Sequence, residues 1–397
     1  MRILYHHRIL ARDGMRVHVD ELVGALKQQD HELHMVGPDT GGDQGRSDSA
    51  PSVLSRIGAM RHRLPRFAAE GMEAAYDLKA TRQLAQAAAQ VRPDIIYERY
   101  NAFLTAGLSV KRRFGLPLLV EINAPLCDER KAHGGLALER LARSMERAVW
   151  RGADAVLPVS DALADYLRAA GVAEERIHII RNGVRLERFS GQQDHRRRAE
   201  MGLDGGTVFG FVGYVRPWHG LDRVLGAMAR MQDQTTQLMV VGDGPACPDL
   251  KRQAAELGLA GRVRFTGAVP HDDVPAYLAL FDVALQPDVT AYASPLKLFE
   301  YMAAGCAVLA PDRPNIREVV RDGETAALFQ ADRPDAFEAA LHRLAGDSGL
   351  RRHLGARARE EVVAKDYSWD GNARRVAAIA ERLMAKRATA AAAKAPA

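Results

Sequence analysis

Two doubly wound α/β domains facing each other across a cleft are the fold this sequence predicts, and three observations predict it. Short β-branched runs alternate with long amphipathic helical patterns, which implies parallel sheets covered by helices on both faces. The series starts twice, at Ile3-Leu4-Tyr5 and again at Phe209-Gly210-Phe211-Val212-Gly213. A polar, arginine-rich stretch at 190–205 parts the two halves, and 397 residues suffice for two ordinary domains.

Strands are expected in the first half at 2–6, 32–36, 94–97, 117–122, 154–159 and 177–181. In the second half they are expected at 207–212, 237–241, 262–266, 282–286, 307–310 and 325–329. Amphipathic helices read at 15–28, 69–90, 134–151, 220–231 and 247–257. The hinge falls near 186–195, giving a first domain over 1–188 and a second over 189–368. Ser368-Trp369-Asp370 starts a helix over 369–385 that packs back on the first domain, and 387–397 reads as a disordered tail.

Bulk properties narrow the function. The net charge of +5 is a small surplus for this length. It fits anionic small ligands or a membrane surface and no nucleic acid. Cys127, Cys247 and Cys306 stand far apart, without metal-ligand spacing or a disulfide framework, which points to a reducing cytoplasmic setting. Arg2-Ile3-Leu4-Tyr5 reads as a strand rather than an export signal, and no apolar run reaches the roughly 18 residues of a spanning helix. Within 41–66, basic Arg46, Arg56, Arg61, Arg63 and Arg66 interleave with Leu54, Ile57, Met60 and Leu64. That pattern suits either a solvated face or, over 56–66, contact with the inner face of a membrane.

Three loops carry the chemistry. In Ser294-Pro295-Leu296-Lys297-Leu298-Phe299-Glu300-Tyr301-Met302-Ala303-Ala304-Gly305, Ser294 is expected as N-cap and Pro295 as first helical residue. Leu296, Phe299, Met302 and Ala303 supply the buried stripe. A cation in the first turn opposes the helix dipole, so Lys297 either meets an anion held by the free amides or snorkels into solvent. Glu300, on the same face, either grips ribose hydroxyls or pairs with Lys297. The second loop, Gly213-Tyr214-Val215-Arg216-Pro217-Trp218-His219-Gly220, joins a strand to a helix. Gly213 allows close backbone approach, Arg216 can hold a phosphate by two parallel bonds, and His219 sits where an anion is favoured. The third, Asp13-Gly14-Met15-Arg16-Val17-His18, lacks the full dinucleotide glycine pattern, which disfavours an NAD-type domain. His18 there is a packing residue or a functional one.

Taken in order, these stretches resemble the family 4 retaining glycosyltransferases, which use the GT-B fold. The likeness runs from about residue 1 to 385. It also rests on Val241-Gly242-Asp243-Gly244-Pro245, Arg262-Val263-Arg264-Phe265-Thr266-Gly267, Arg181-Asn182-Gly183-Val184, Asn315-Ile316-Arg317-Glu318-Val319-Val320 and Asp322-Gly323-Glu324-Thr325. The resemblance implies a nucleoside diphosphate sugar, UDP- or GDP-linked, bound mostly by the second domain. Arg216 and His219 match positions that hold the diphosphate, with His219 where many members carry lysine; that implies a pH-dependent charge. The amides around Pro295, Leu296 and Leu298 match the loop cradling the distal phosphate, with Lys297 as its partner, and Glu300 matches the second Glu of the family pair. Tyr292 stands where the first Glu is expected, leaving Ser294, nearby amides or Asp288 to read the sugar; Asp288 otherwise serves a turn. In the first domain Gly14 matches the glycine near the donor phosphates. Asn123 replaces a histidine at the end of strand 117–122, and can donate a hydrogen bond without moving a proton. His133 either takes that histidine's place or lies on the surface. Glu129 and Arg130 fall in an acceptor-side loop.

The implied reaction is transfer of a sugar to a hydroxyl acceptor with retention, the phosphate oxygens taking the acceptor proton. No cofactor or metal is expected, since no Asp-x-Asp pair is present. The acceptor is open; a lipid-linked intermediate of surface polysaccharide or glycolipid synthesis fits a basic segment at 56–66. Two rival readings are a non-catalytic sugar-nucleotide-binding subunit and a GT-B sugar-nucleotide epimerase. The latter would need acid-base groups from among His133, Glu121 and Asp288.

Overall fold

The computed structural model describes residues 1–9, 14–37, 65–203 and 205–392. It divides into two compact units, one formed by Met1–Ile180 with the chain from Ala373 onward, the other by Arg181–Asn372. The first division, at Ile180/Arg181, lies ahead of the expected 186–195, because Asn182 and Val184 already bond to second-unit residues Ser294 and Tyr367; the second is at Asn372/Ala373.

In the first unit the order is β1 (Arg2–His6), α1 (Gly14–Gln28), β2 (Glu32–Val36), α2 (Arg66–Val91), β3 (Ile95–Arg99), α3 (Ala106–Phe114), β4 (Leu118–Ile122), α4 (Leu126–His133), α5 (Glu139–Gly152), β5 (Ala155–Pro158) and α6 (Asp161–Ala169). The strands form one parallel sheet in the order β2-β1-β3-β4-β5. β3, β4 and β5 are buried along their whole length. That is why their sequences run apolar without alternation. The stretch 177–181 is not a regular strand, although it runs beside β5: Ile177 bridges to Val156, and the His178 and Ile180 amides donate to the Val156 and Pro158 carbonyls. The helix expected over 134–151 is α5, which starts only at Glu139; α4 ends at His133 ahead of Gly134 and Gly135, and Glu70 of α2 accepts from the amides of Ala137 and Leu138 and so sets the start of α5.

The second unit runs α7 (His195–Glu200), β6 (Val208–Val212), α8 (Leu221–Ala229), β7 (Gln237–Val241), α9 (Cys247–Glu256), β8 (Val263–Phe265), α10 (Val274–Leu278), β9 (Val283–Leu285), α11 (Leu296–Ala303), β10 (Ala307–Pro311), α12 (Pro314–Arg317), β11 (Ala327–Phe329), α13 (Pro334–Gly346) and α14 (Ser348–Ala364). All its strands are parallel, in the order β11-β10-β9-β6-β7-β8. The period of two sends Phe209 and Phe211 of β6 into one apolar layer and Val208 and Val212 into the other. The chain leaves β6 for β7 on one side and later sets β9 on the other. That reversal makes the β6/β9 carboxyl ends a topological switch point, where sheets of this kind bind ligands. A last helix, α15 (Trp369–Ala392), begins in the second unit, and from Ala373 on groups with the first. It carries 387–392 as helix where a disordered tail was expected, because its alanine-rich end favours helix.

Candidate functional site

At the switch point, Gly213 follows β6 with φ 132°, and a Cβ there would lie 3.3 Å from the Lys297 amine. Gly242, after β7, has φ 129°, and a Cβ on it would sit 2.1 Å from the Gly213 carbonyl oxygen. Both turns therefore need glycine, and they interlock: Gly213 N–H donates to Val241 and Val215 N–H to Asp243.

Helix α11 is pinned to this end of the sheet by Tyr301. Its buried hydroxyl accepts from the Val212 amide at 3.0 Å and donates to the Leu285 carbonyl at 3.3 Å. One side chain thus ties α11 to the carboxyl ends of both β6 and β9. The buried face is Leu298, Phe299, Tyr301, Met302 and Ala303, so Leu296 of the expected stripe gives way to Leu298 and Tyr301.

Ser294 is not the N-cap. The helix begins at Leu296 behind Pro295, with no side chain capping its first amides. Ser294 is turned to Asn182 instead: its carbonyl accepts from the Asn182 side chain at 2.5 Å and its hydroxyl from the Asn182 amide at 3.4 Å. A partner 112 positions away in sequence outcompetes the local cap. Asn315 does similar work, donating to the Thr290 and Ala293 carbonyls. Two buried asparagines thereby hold the loop that delivers α11; the Leu298 amide donates to the Pro295 carbonyl, while the Leu296 and Lys297 amides have no side-chain cap.

The cations come together here. The Lys297 amine lies over the Phe211 ring, 3.9 Å from its centroid. Desolvation brings it down to about 7, with Glu300 acting the other way. Arg216 lies over the rings of Tyr214 and Trp218, at 4.8 and 5.0 Å. His219 stands in the field of both: desolvation, then Lys297, then Arg216, hold its imidazole at about 3. Its Nδ1 accepts from the Arg216 amide at 3.1 Å, so Nε2 carries the proton. The pH-dependent cation expected of His219 is thus corrected to a neutral donor throughout the physiological range, because two cations and burial oppose its charge.

The remaining second-unit candidates are placed as follows. Glu300 is partly buried, 4.0 Å from His271 Nδ1. Asp288 is a turn residue: its Oδ1 accepts from the Val289 amide and from Arg313, which leaves it committed to structure. Tyr292 lies partly buried in the turn before α11.

In the first unit, Gly14 is the exposed first residue of α1, so residues 14–18 are helix rather than loop, while 10–13 lie outside the described residues. His18 is buried in α1 and its Nε2 sits 3.1 Å from Glu121. Glu121 also accepts from Tyr97 at 2.7 Å, Asn123 at 2.5 Å and Arg99. Burial alone would raise this carboxyl, but His18 and Arg99 overcome that and hold it well below the usual range. Asn123 therefore donates to Glu121. His133 is exposed at the end of α4. The segment 56–64 lies outside the described residues.

Sequence reasoning missed Tyr301, Asn182 and Asn315, whose work is to hold loops across long separations. Tyr214 and Trp218 were legible as aromatics flanking Arg216. Among the described residues no cluster of His, Cys, Asp and Glu is placed to hold a metal, and no helix is long and apolar enough to cross a membrane.

A family model described as "Glycosyl transferases group 1" matches residues 206–347, and one described as "Glycosyl transferase 4-like domain" matches 13–183. A D-inositol 3-phosphate glycosyltransferase of Streptomyces scabiei is 28% identical over 91% of this chain and 84% of its own. Two solved structures share the fold. A sucrose-phosphate synthase of Thermosynechococcus elongatus superposes with TM-score 0.74 at 20% identity, over 97% of this chain and all of its own. The Anabaena Alr3699/HepE protein in complex with UDP-glucose superposes with TM-score 0.71 at 18% identity, over 97% and 100%.

Proposed function

The chain belongs to the group 1 glycosyl transferases and is a glycosyltransferase of the GT-B fold class; from that premise we propose that it moves a sugar from a UDP- or GDP-sugar to a hydroxyl acceptor with retained configuration. The observation that carries the donor assignment is the collection of Lys297, Arg216, the His219 Nε2–H and the uncapped amides of α11 at the β6/β9 switch point. In this reading they meet the diphosphate. As the glycosidic bond breaks, charge builds on the leaving phosphate. Groups already desolvated and fixed gain more from that charge than from the ground state. Lys297, brought down to about 7 when no anion is present, regains its full charge beside a phosphate. Glu300 grips the ribose. The acceptor proton passes to a phosphate oxygen, which suits a site where Tyr292 replaces a carboxylate and Asp288 is occupied by Arg313. Charge neutralisation falls to these side chains and amides, without a metal. The UDP-glucose complex of the Anabaena neighbour supports a nucleotide-sugar donor. We place the enzyme in the cytoplasm, acting on a lipid-linked intermediate of polysaccharide or glycolipid synthesis, with 56–66 against the membrane.

Incubating the protein with UDP-, GDP- and ADP-sugars and no acceptor tests this. Slow release of free sugar from one donor is expected. An isomerised nucleotide sugar would make it an epimerase, and tight binding without turnover a binding subunit.

A further inference from the structure

Arg216 is unlike the other site residues in how it is held. Among the described residues its guanidinium makes no hydrogen bond and no ion pair, although the protein carries 50 acidic residues and pairs arginines such as Arg99, Arg143, Arg198 and Arg321 with them. What it touches instead is two aromatic rings, those of Tyr214 and Trp218. Both rings are about half exposed, at 51% and 52%, which is costly surface for large apolar groups. A ring face attracts a guanidinium through its quadrupole and takes none of its N–H groups for an oxygen acceptor. An arginine held by rings is therefore fixed in place with all five donors unspent. A carboxylate in the same position would fix it too, but would neutralise the charge and occupy the donors.

We propose that Tyr214 and Trp218 are positioning residues, which hold the Arg216 guanidinium over β6's carboxyl end so that its donors are free for both oxygens of one phosphate. This rests on the donor-site reading above and adds to it the groups that preorganise the arginine. The local sequence makes the geometry economical. Tyr214 and Trp218 lie two residues to either side of Arg216, and Pro217 fixes the turn between Arg216 and Trp218. His219 extends the same aromatic surface, 6.2 Å from Trp218 and 5.1 Å from Phe211, on which Lys297 rests. Both cations of the site thus lie on aromatic faces, and neither has a carboxylate within ion-pair distance among the described residues.

The test is calorimetric titration with UDP and with GDP at fixed ionic strength. Arg216→Ala is expected to weaken whichever nucleotide binds by about tenfold. Tyr214→Ala and Trp218→Ala should each weaken it roughly two- to fivefold, with Tyr214→Phe and Trp218→Phe recovering most of the loss. In the Arg216→Ala background the ring deletions should cost nothing further. Trp150 and Trp369 are buried and emit at shorter wavelength, so the long-wavelength edge of the tryptophan emission reports on half-exposed Trp218 and should change on binding. The half-exposed rings should leave the melting temperature unmoved. Wild-type affinity in both ring variants alongside a weak Arg216→Ala would overturn the positioning role while leaving the donor site intact. So would ring deletions that weaken binding equally without Arg216, since the rings would then touch the ligand themselves. Unchanged affinity in Arg216→Ala would remove the arginine from the donor site, and this inference with it.

Discussion

At the carboxyl end of β4, Glu121 is met by four side chains, from His18, Tyr97, Arg99 and Asn123; at the carboxyl end of β6, Arg216 and Lys297 rest on aromatic rings instead of carboxylates. Both are polar clusters at the same pole of a parallel sheet. In the first, charge is balanced inside the protein, and His6 with Glu98 repeats the pattern at 2.7 Å, Glu98 also taking the Gly107 amide. In the second, positive charge is gathered and left over. A closed ion-pair network serves the fold, whereas cations with no carboxylate in ion-pair distance rest on ring faces and keep their charge for an anion. The two regions should therefore fail in opposite ways.

The largest effect is expected from Glu121→Ala. It strands Arg99 and His18 in a buried site and should cost about 3–5 kcal/mol in urea denaturation. Lys297→Met, which removes a desolvated amine of similar shape, should leave stability at pH 6 unchanged or raised; a loss as large as that of Glu121→Ala would erase the contrast. In the donor site, Arg216→Ala should weaken nucleotide-sugar binding by more than about 1 kcal/mol without lowering stability, and equal affinity would remove it from the site.

Titration behaviour sharpens the comparison further. The Lys297 amine sits at about 7 in the folded protein against an ordinary 10.5. Between those values the unfolded chain binds a proton that the folded chain does not. Its penalty is full below 7, and stability gains from this group as pH rises through that window. Affinity for a nucleotide sugar, whose diphosphate does not titrate near neutrality, should fall as pH climbs through 7, and Lys297→Met should flatten the profile. A step at pH 6–6.5 that disappears in His219→Gln would mean that His219 is the titrating group, against its neutral state here. The smallest effect belongs to Tyr301→Phe, which loses the bond to the Val212 amide: about 1 kcal/mol of stability, with a matching loss of donor affinity if α11 shifts.

The sheets were legible because buried parallel strands leave unbroken β-branched runs, and every expected strand but 177–181 is found. Arg216 and Lys297 were legible as cations at strand–helix and helix-start junctions. What could not be read was whatever depends on partners far along the chain. Ser294 looks like a cap until Asn182 takes it. His219 looks like a switch until two cations and burial silence it. Glu121 gathers four partners from three segments, and no local pattern signals such a hub.

The most direct test of the central claim is a double-mutant cycle on diphosphate binding with Arg216→Ala, Lys297→Met and the pair, using the nucleotide sugar that the wild type prefers. If both cations hold one diphosphate, each single change weakens binding about tenfold or more and the double loses less than the sum, since the ligand shifts once either is gone. Binding that survives the double variant unchanged would contradict the account.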